Sequence, residues 1–208
     1  MDFNSVNIVV FLVVLLVSVG FHEAMHAFAA HWLGDPTAYE QGRLTLNPLK
    51  HLDLYTSILL PVMLVLAGLP PFFAAKPVPF NPARVKYDEF GAALIGLAGP
   101  LTNFVLAVCG ALFLRGLGAQ LSTGVVNVIA TFVLVNVAVF VFNMIPFPPL
   151  DGSRLLYALA PEPVQNVMYQ IESGGFMSIF IFIMIFLYTG LGDVILRIDH
   201  NIFRFLVG

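Results

Sequence analysis

The sequence predicts an all-α polytopic membrane protein, with about four full transmembrane helices, a re-entrant Pro-interrupted segment over 54–75 and a C-terminal amphipathic helix. Three observations lead there. Of 208 residues, 59% are hydrophobic and 10% charged, against about 25% charged in a soluble domain. The apolar residues gather into runs long enough to cross a hydrocarbon core about 30 Å thick. Between the runs stand clusters of Pro, Gly and charge, which cannot continue a lipid-facing helix.

Each element follows from its own pattern. The first helix runs from about Asn4 to Leu33 and stops at Gly34-Asp35-Pro36, a strong breaker. Residues 35–53 are polar, with Arg43, Asn47, Lys50, His51 and Asp53. The 54–75 run is apolar but broken by Pro61, Pro70 and Pro71, and 76–88 carries three prolines, which makes it an extended loop. Spans follow over 89–114 and 125–145, separated by a Gly-rich turn at 116–124. Pro146-Phe147-Pro148-Pro149 ends the second of these. Residues 153–173 form a short interfacial helix or loop, and a last span covers about 175–191. Beyond it Val194, Ile195, Ile198, Ile202 and Phe205 recur at helical spacing among charges, as in an amphipathic surface tail. The whole reads as a single domain over 1–208, with a core over about 4–152 and C-terminal helices over 153–208. Residues 1–20 lack the basic start of a secretory signal and are expected to be retained. The net charge of −3 points away from a nucleic-acid partner, and the lone Cys109 forms no intramolecular disulfide.

Chemistry concentrates in the first span. His22-Glu23-Ala24-Met25-His26 places two imidazoles four residues apart on one helical face, where both reach a single cation. Glu23 lies about 60° round the helix from His26, placed to act as a general base without ligating. Ionisable groups at membrane depth are expensive and mark functional sites.

A catalytic zinc has three protein ligands and an open position. His31 sits about 180° round the helix from His22 and cannot share an ion with it. His51 and His200 fall in polar segments, where solvated side chains are expected. Asp151 follows the Pro-broken end of a span, where irregular backbone holds a side chain at depth only by lining a protein cavity. Its local sequence suits a cap for the helix beginning at Ser153 equally well.

Taken together, His22-Glu23-x-x-His26, Gly99-Pro100-x-x-Asn103 and Asn143-x-x-Pro146-x-Pro148-Pro149-Leu150-Asp151-Gly152 resemble the motifs of the site-2 proteases, intramembrane zinc metalloproteases. The resemblance implies one zinc held by His22, His26 and Asp151, Glu23 as base, and a transmembrane protein segment as substrate. It also raises Asn143 and Asn103 as substrate-binding amides; the plainer role for both is a hydrogen bond to a neighbouring helix. Gly91, Gly96 and Gly99 are expected to allow close helix packing. The peptide-binding domain inserted in many relatives is missing from these residues. The extended 76–82 stretch could pair edge-on with an unwound substrate.

If Asp151 joins the two imidazoles, the first span and the 125–145 span run in the same direction, so 54–75 should not cross but dip in and return, or form a short hairpin. Lys and Arg then divide six to three in favour of the side bearing the motif end of the first span. That places the site nearer the cytosol of a prokaryotic cell membrane. The competing function is a transporter or channel that moves protons or metal ions over the intramembrane His and Glu. Haem ligation is disfavoured, because two His on one helical face cannot bracket a ring.

Overall fold

Inside lipid the backbone must satisfy its own hydrogen bonds, and this chain does so with helices. The computed structural model describes residues 5–53 and 78–208, together with the single positions 59, 63 and 66. Its helices are α1 (Ser5–Trp32), α2 (Thr37–Glu40), α3 (Asp88–Leu117), α4 (Thr123–Asn143), α5 (Gly152–Leu159), α6 (Glu162–Ser173), α7 (Phe176–Tyr188) and α8 (Leu191–Val207). No strand occurs among the described residues.

Three helices are long and apolar enough to cross a membrane: Ile8–Trp32 within α1, Asp88–Gln120 on α3, and α4. The fourth expected span is α7, whose 13 residues reach only about 20 Å. It meets α6 at a bend of 101°, and the two qualify as a fourth span only as a bent pair. Apart from positions 59, 63 and 66, the 54–75 segment lies outside the described residues. Its anchors do not: the Lys86 amide donates to Leu33 O at 2.9 Å, so the connection between α1 and α3 begins and ends on one side.

α1, α3 and α4 form the frame. Ala24, Ala27 and Ala30 on α1 are fully buried, and α3 turns Ala92, Ala93, Gly96, Gly99, Ala107, Gly110 and Ala111 inward. With little side chain between them the backbones approach closely, the usual means of helix association where water supplies no hydrophobic drive. Rising along α3 from Ile95 to Asn103 corresponds to descending α1 from His26 to Ser18, so the two are antiparallel. α4 reverses again, with Val133 against Gly110 and Asn136 against Asn103. α1 and α4 therefore run in the same direction, as convergence of His22, His26 and Asp151 demands. Leu12, Val13, Val105, Leu112, Val125 and Val128 remain exposed around this frame, as a lipid-facing rim requires.

α8 is amphipathic as expected. Ile195, Ile202, Phe203 and Leu206 pack against the α3–α4 cluster of Ala107, Ala111, Leu114, Val133 and Val137. Val194, Ile198 and Phe205 stay exposed. The tail is thus part of the bundle on one face and apolar on part of the other.

Candidate metal centre

The later turns of α1 carry His22 and His26 inward, and both rings are buried. Their Nε2 atoms lie 3.0 Å apart. Asp151 reaches them from the start of α5, with Oδ2 3.0 Å from His22 Nε2 and 3.3 Å from His26 Nε2. Asp151 stands at the N-cap position of α5 but makes no side-chain cap bond; its carboxylate is directed to the imidazoles instead. The capping alternative is not realised.

The hydrogen bonds behind the rings fix what the three atoms present. His22 Nδ1–H donates to Asn103 Oδ1 at 2.6 Å, and His26 Nδ1–H donates to Ile95 O at 2.7 Å. The Asn103 orientation is set by its other end, where Nδ2 donates to Ser18 O and to Asn136 Oδ1 at 3.1 and 2.8 Å. Asn136 Nδ2 in turn donates to Ser18 Oγ and Phe132 O, both at 2.9 Å. With both Nδ1 atoms occupied as donors, the neutral imidazoles turn Nε2 lone pairs toward each other and toward a carboxylate oxygen. Such a cluster of electron-rich atoms repels itself unless a cation joins it. It also has the right size. A triangle with these edges has a point about 1 Å off its plane that lies about 2.05 Å from every corner, the Zn–N and Zn–O distance. Among the described residues these three form a group whose ligand atoms are close enough to hold one metal ion.

α3 makes room for this centre. A Cβ at Gly99 would overlap His26 Nε2 and lie 2.7 Å from His22 Nε2. A Cβ at Gly96 would press on the Arg154 side chain and Asp151 O, both about 3.0–3.1 Å away. Of the glycines expected to serve helix packing, Gly99 borders the ligands themselves. Pro100 beside it has no N–H to donate to Gly96 O, and one residue earlier the Ile95 carbonyl accepts from His26 Nδ1–H.

Glu23 lines the same cavity, of about 710 Å³, as the two His and Asp151. Its Oε2 accepts from the Val78 amide at 3.2 Å. Val78 and Phe80 belong to a non-helical strap along the cavity edge. Asp35 anchors the strap from the end of α1, accepting from the Asn81 amide at 2.5 Å and from Thr37 N–H and Oγ1–H at 3.0 and 2.5 Å. Burial alone raises the Asp35 pKa. The Thr37 and Asn81 hydrogen bonds, with Arg84 nearby, outweigh it and hold the carboxyl below its ordinary range. From the other side the Arg154 guanidinium lies 5.6 Å over the Phe80 ring and pairs with Glu172.

Asn143 lines the cavity, with Nδ2 donating to Val139 O at 2.9 Å. Asn103 does not line it. Raised as a substrate-binding amide, it is fully buried and directs its hydrogen bonds to His22, Ser18 and Asn136. His31 stacks on Tyr39 with ring centroids 5.5 Å apart and takes no part in the centre. His51, expected to be solvated, is 1% exposed and donates from Nε2 to Thr45 O. Its turn, Pro48–His51, is seated under α1 where Pro48 meets Gly20, too close to admit a Cβ there.

Fold and site together define a membrane-embedded zinc-protease centre: two helical His, a distant Asp and an adjacent Glu between spanning helices. Comparison with known proteins agrees. Residues 113–187 match peptidase family M50. YwhC of Bacillus subtilis (strain 168), a zinc metalloprotease by name, is 38% identical over 192 residues, covering 89% of this chain and 83% of that protein. Rip2 of Mycolicibacterium smegmatis, likewise a zinc metalloprotease by name, is 30% identical over 181 residues, covering 84% and 68%. No solved structure matches the chain. The chain belongs to the site-2-protease-like zinc metalloproteases of family M50.

Proposed function

We propose that this protein is an intramembrane zinc endopeptidase, with one zinc per chain, that hydrolyses peptide bonds in or near transmembrane segments of membrane-protein substrates. The observation carrying this reading is the convergence of His22 Nε2, His26 Nε2 and Asp151 Oδ2 within 3.3 Å of one another, in one cavity with Glu23. When bound, zinc supplies Lewis acidity, lowering the pKa of water from about 15.7 towards 7 and polarising a carbonyl.

The chain's own groups do the rest. Glu23 takes a proton from the attacking water and returns it to the departing amine, the part of a general acid–base. Asn103 and the Ile95 carbonyl hold both imidazoles in the tautomer that offers Nε2. Asn143, at the cavity wall, is placed to bond the substrate backbone. Substrate must arrive unwound, because a helical carbonyl is tied to the amide four residues on. The non-helical strap over 78–80 would offer a backbone edge for such a segment. The six-to-three charge division supports a centre nearer the cytosolic face.

Metal analysis and cleavage of a model transmembrane substrate, run on the same preparations, test this. Wild type and Glu23→Gln are expected to hold about one zinc per chain, the content of a single three-ligand site. Glu23→Gln should lose cleavage by about 10²–10⁴-fold, the range for a positioned acid–base. Asp151→Ala should lose both metal and cleavage. Cleavage by Glu23→Gln at the wild-type rate would overturn the protease reading, and metal flux into liposomes that survives this substitution would favour a transporter.

A further inference from the structure

The cavity that holds the metal centre is also lined by Asp199, an acid that the chemistry above does not use. Asp199 lies on α8 and is 9% exposed. Its helical register makes the placement unusual. Ile195, Asp199, Ile202 and Leu206 follow the i, i+4, i+7, i+11 spacing of one face. The three apolar members pack into the α3–α4 cluster, and the fourth place on that face is taken by a carboxylate. No donor meets its Oδ1, and no cation is paired with it, among the described residues. Arg197, two residues away, donates to the Asp193 carbonyl instead. Ala138, Val139, Phe182, Phe186 and Ile195 share the cavity wall. In such surroundings a lone carboxylate is costly, and an opposite charge brought to it interacts far more strongly than in water.

Position along the bundle separates Asp199 from the metal ligands. The cluster that its neighbours Ile195 and Ile202 pack against takes Ala107, Ala111 and Leu114 from α3. Those residues lie eight or more beyond Gly99, about 12 Å or more along the helix. A substrate with its scissile bond at the centre would bring beside Asp199 a side chain about four or more residues away if extended and about eight or more if helical.

We propose that Asp199 is a specificity residue of the substrate cavity, selecting transmembrane segments that carry a basic side chain at one fixed distance from the scissile bond. The proposal rests on the protease reading. Strand-like or helical, the substrate would lay its apolar side chains along Phe182 and Phe186 and its single cation against the carboxylate. An unpaired acid is thereby exchanged for a buried ion pair.

The test scans Lys, one position at a time, through the apolar residues of a model transmembrane substrate, with Leu at each position as reference. For wild type, kcat/KM is expected to favour Lys by about tenfold at one position and to disfavour it elsewhere, the pattern of selection by a single buried charge. Asp199→Asn, which keeps the shape, should bring that ratio to within about twofold. Asp199→Lys should move the preference at the same position to Glu. Zinc content of each variant reports whether the centre has assembled. A Lys preference that survives Asp199→Asn, or a scan without any preferred position, overturns the proposal. A fall in rate shared equally by Lys and Leu substrates overturns it too, since that is the mark of a structural acid. Cleavage of the all-Leu substrate by wild type and its loss in Glu23→Gln are read in parallel. Failure there sinks the protease reading and this inference with it, whereas failure of the scan alone leaves the protease standing.

Discussion

On one side of the cavity stand α1, α3 and α4, where small residues and hydrogen bonds hold the helices together around His22 and His26. Alanines and glycines bring the backbones together, and a chain of amides runs from Asn136 through Asn103 to His22. On the other side α7 meets the end of α4 through aromatic rings. Phe182 lies 5.7 Å from Phe142 and 5.2 Å from Phe147, and Phe186 lies 6.0 Å from Phe142. The first side is directional: each hydrogen bond has one geometry, and a shift of one helix breaks several together. The second is held by dispersion and ring contacts, which tolerate rearrangement with small loss. A metal centre needs the first kind of wall. A cavity that must admit differing side chains is better served by the second.

Substitutions on the two sides should therefore differ in kind, and the largest effect belongs to α3. Gly99→Val places a branched side chain where even a Cβ overlaps both Nε2 atoms. The expected outcome is a folded protein without zinc and without cleavage, checked by metal analysis beside circular dichroism. Retention of full zinc would mean that α3 does not bound the centre. Next comes Asn103→Leu, which is close in volume but leaves His22 Nδ1–H and Asn136 Oδ1 without these partners. Loss of such a supporting bond weakens metal affinity by about 10–100-fold, measurable by competition with a chelator. An unchanged affinity would show that the amide chain serves packing alone.

These residues also mark where the sequence was legible. The His22 and His26 pair could be read because four-residue spacing and helix geometry determine their common direction. Asp151 was only half legible: its Pro-broken helix end suited a cap as well as a cavity, and the resemblance to the site-2 proteases assigned it to the ion. Asn136 carries the same signal as Asn103, an amide within an apolar span, yet its role depends on which two helices it faces. No local pattern holds that information. Ser18 is quieter still, since its hydroxyl matters only through Asn136. Asp35 looks like a helix stop, and its grip on Asn81, 46 residues away, exists only once the chain has returned. His51 misleads in the opposite direction. Its neighbours are polar, and burial comes from Pro48 fitting the space left by Gly20. The acid at 199 interrupts an apolar stripe visible in the sequence, but which face of that helix turns inward is decided by packing.

The strap over 78–81 belongs to neither wall, and its anchor predicts a smaller effect. Asp35→Ala removes an acceptor from two N–H groups and a hydroxyl, a loss of about 2 kcal/mol for hydrogen bonds to a charged group. A lower melting temperature in detergent, with zinc retained, is the expected result. Because the folded carboxyl sits below its ordinary value of 3.8, its contribution is present above that value and fades as pH falls through the folded pKa. The gap in melting temperature between wild type and Asp35→Ala should narrow in acid. A gap that widens there would contradict this anchor.

The smallest change is expected at Phe182, although it is 2% exposed and central to the aromatic wall. Phe182→Leu keeps an apolar side chain of adaptable shape, a substitution that costs less than about 1.5 kcal/mol where neighbours can repack. Phe142, Phe147 and Phe186 are such neighbours, all rings without polar atoms to strand. Zinc affinity should stay within about twofold of wild type, because no hydrogen bond of the centre passes through this wall. The order of preference among substrates differing in bulky apolar residues should change instead, since the surface they touch has altered. If Phe182→Leu weakened zinc as severely as Asn103→Leu, both walls would be parts of one rigid unit, and the division between a fixed centre and an adaptable cavity would have to be abandoned.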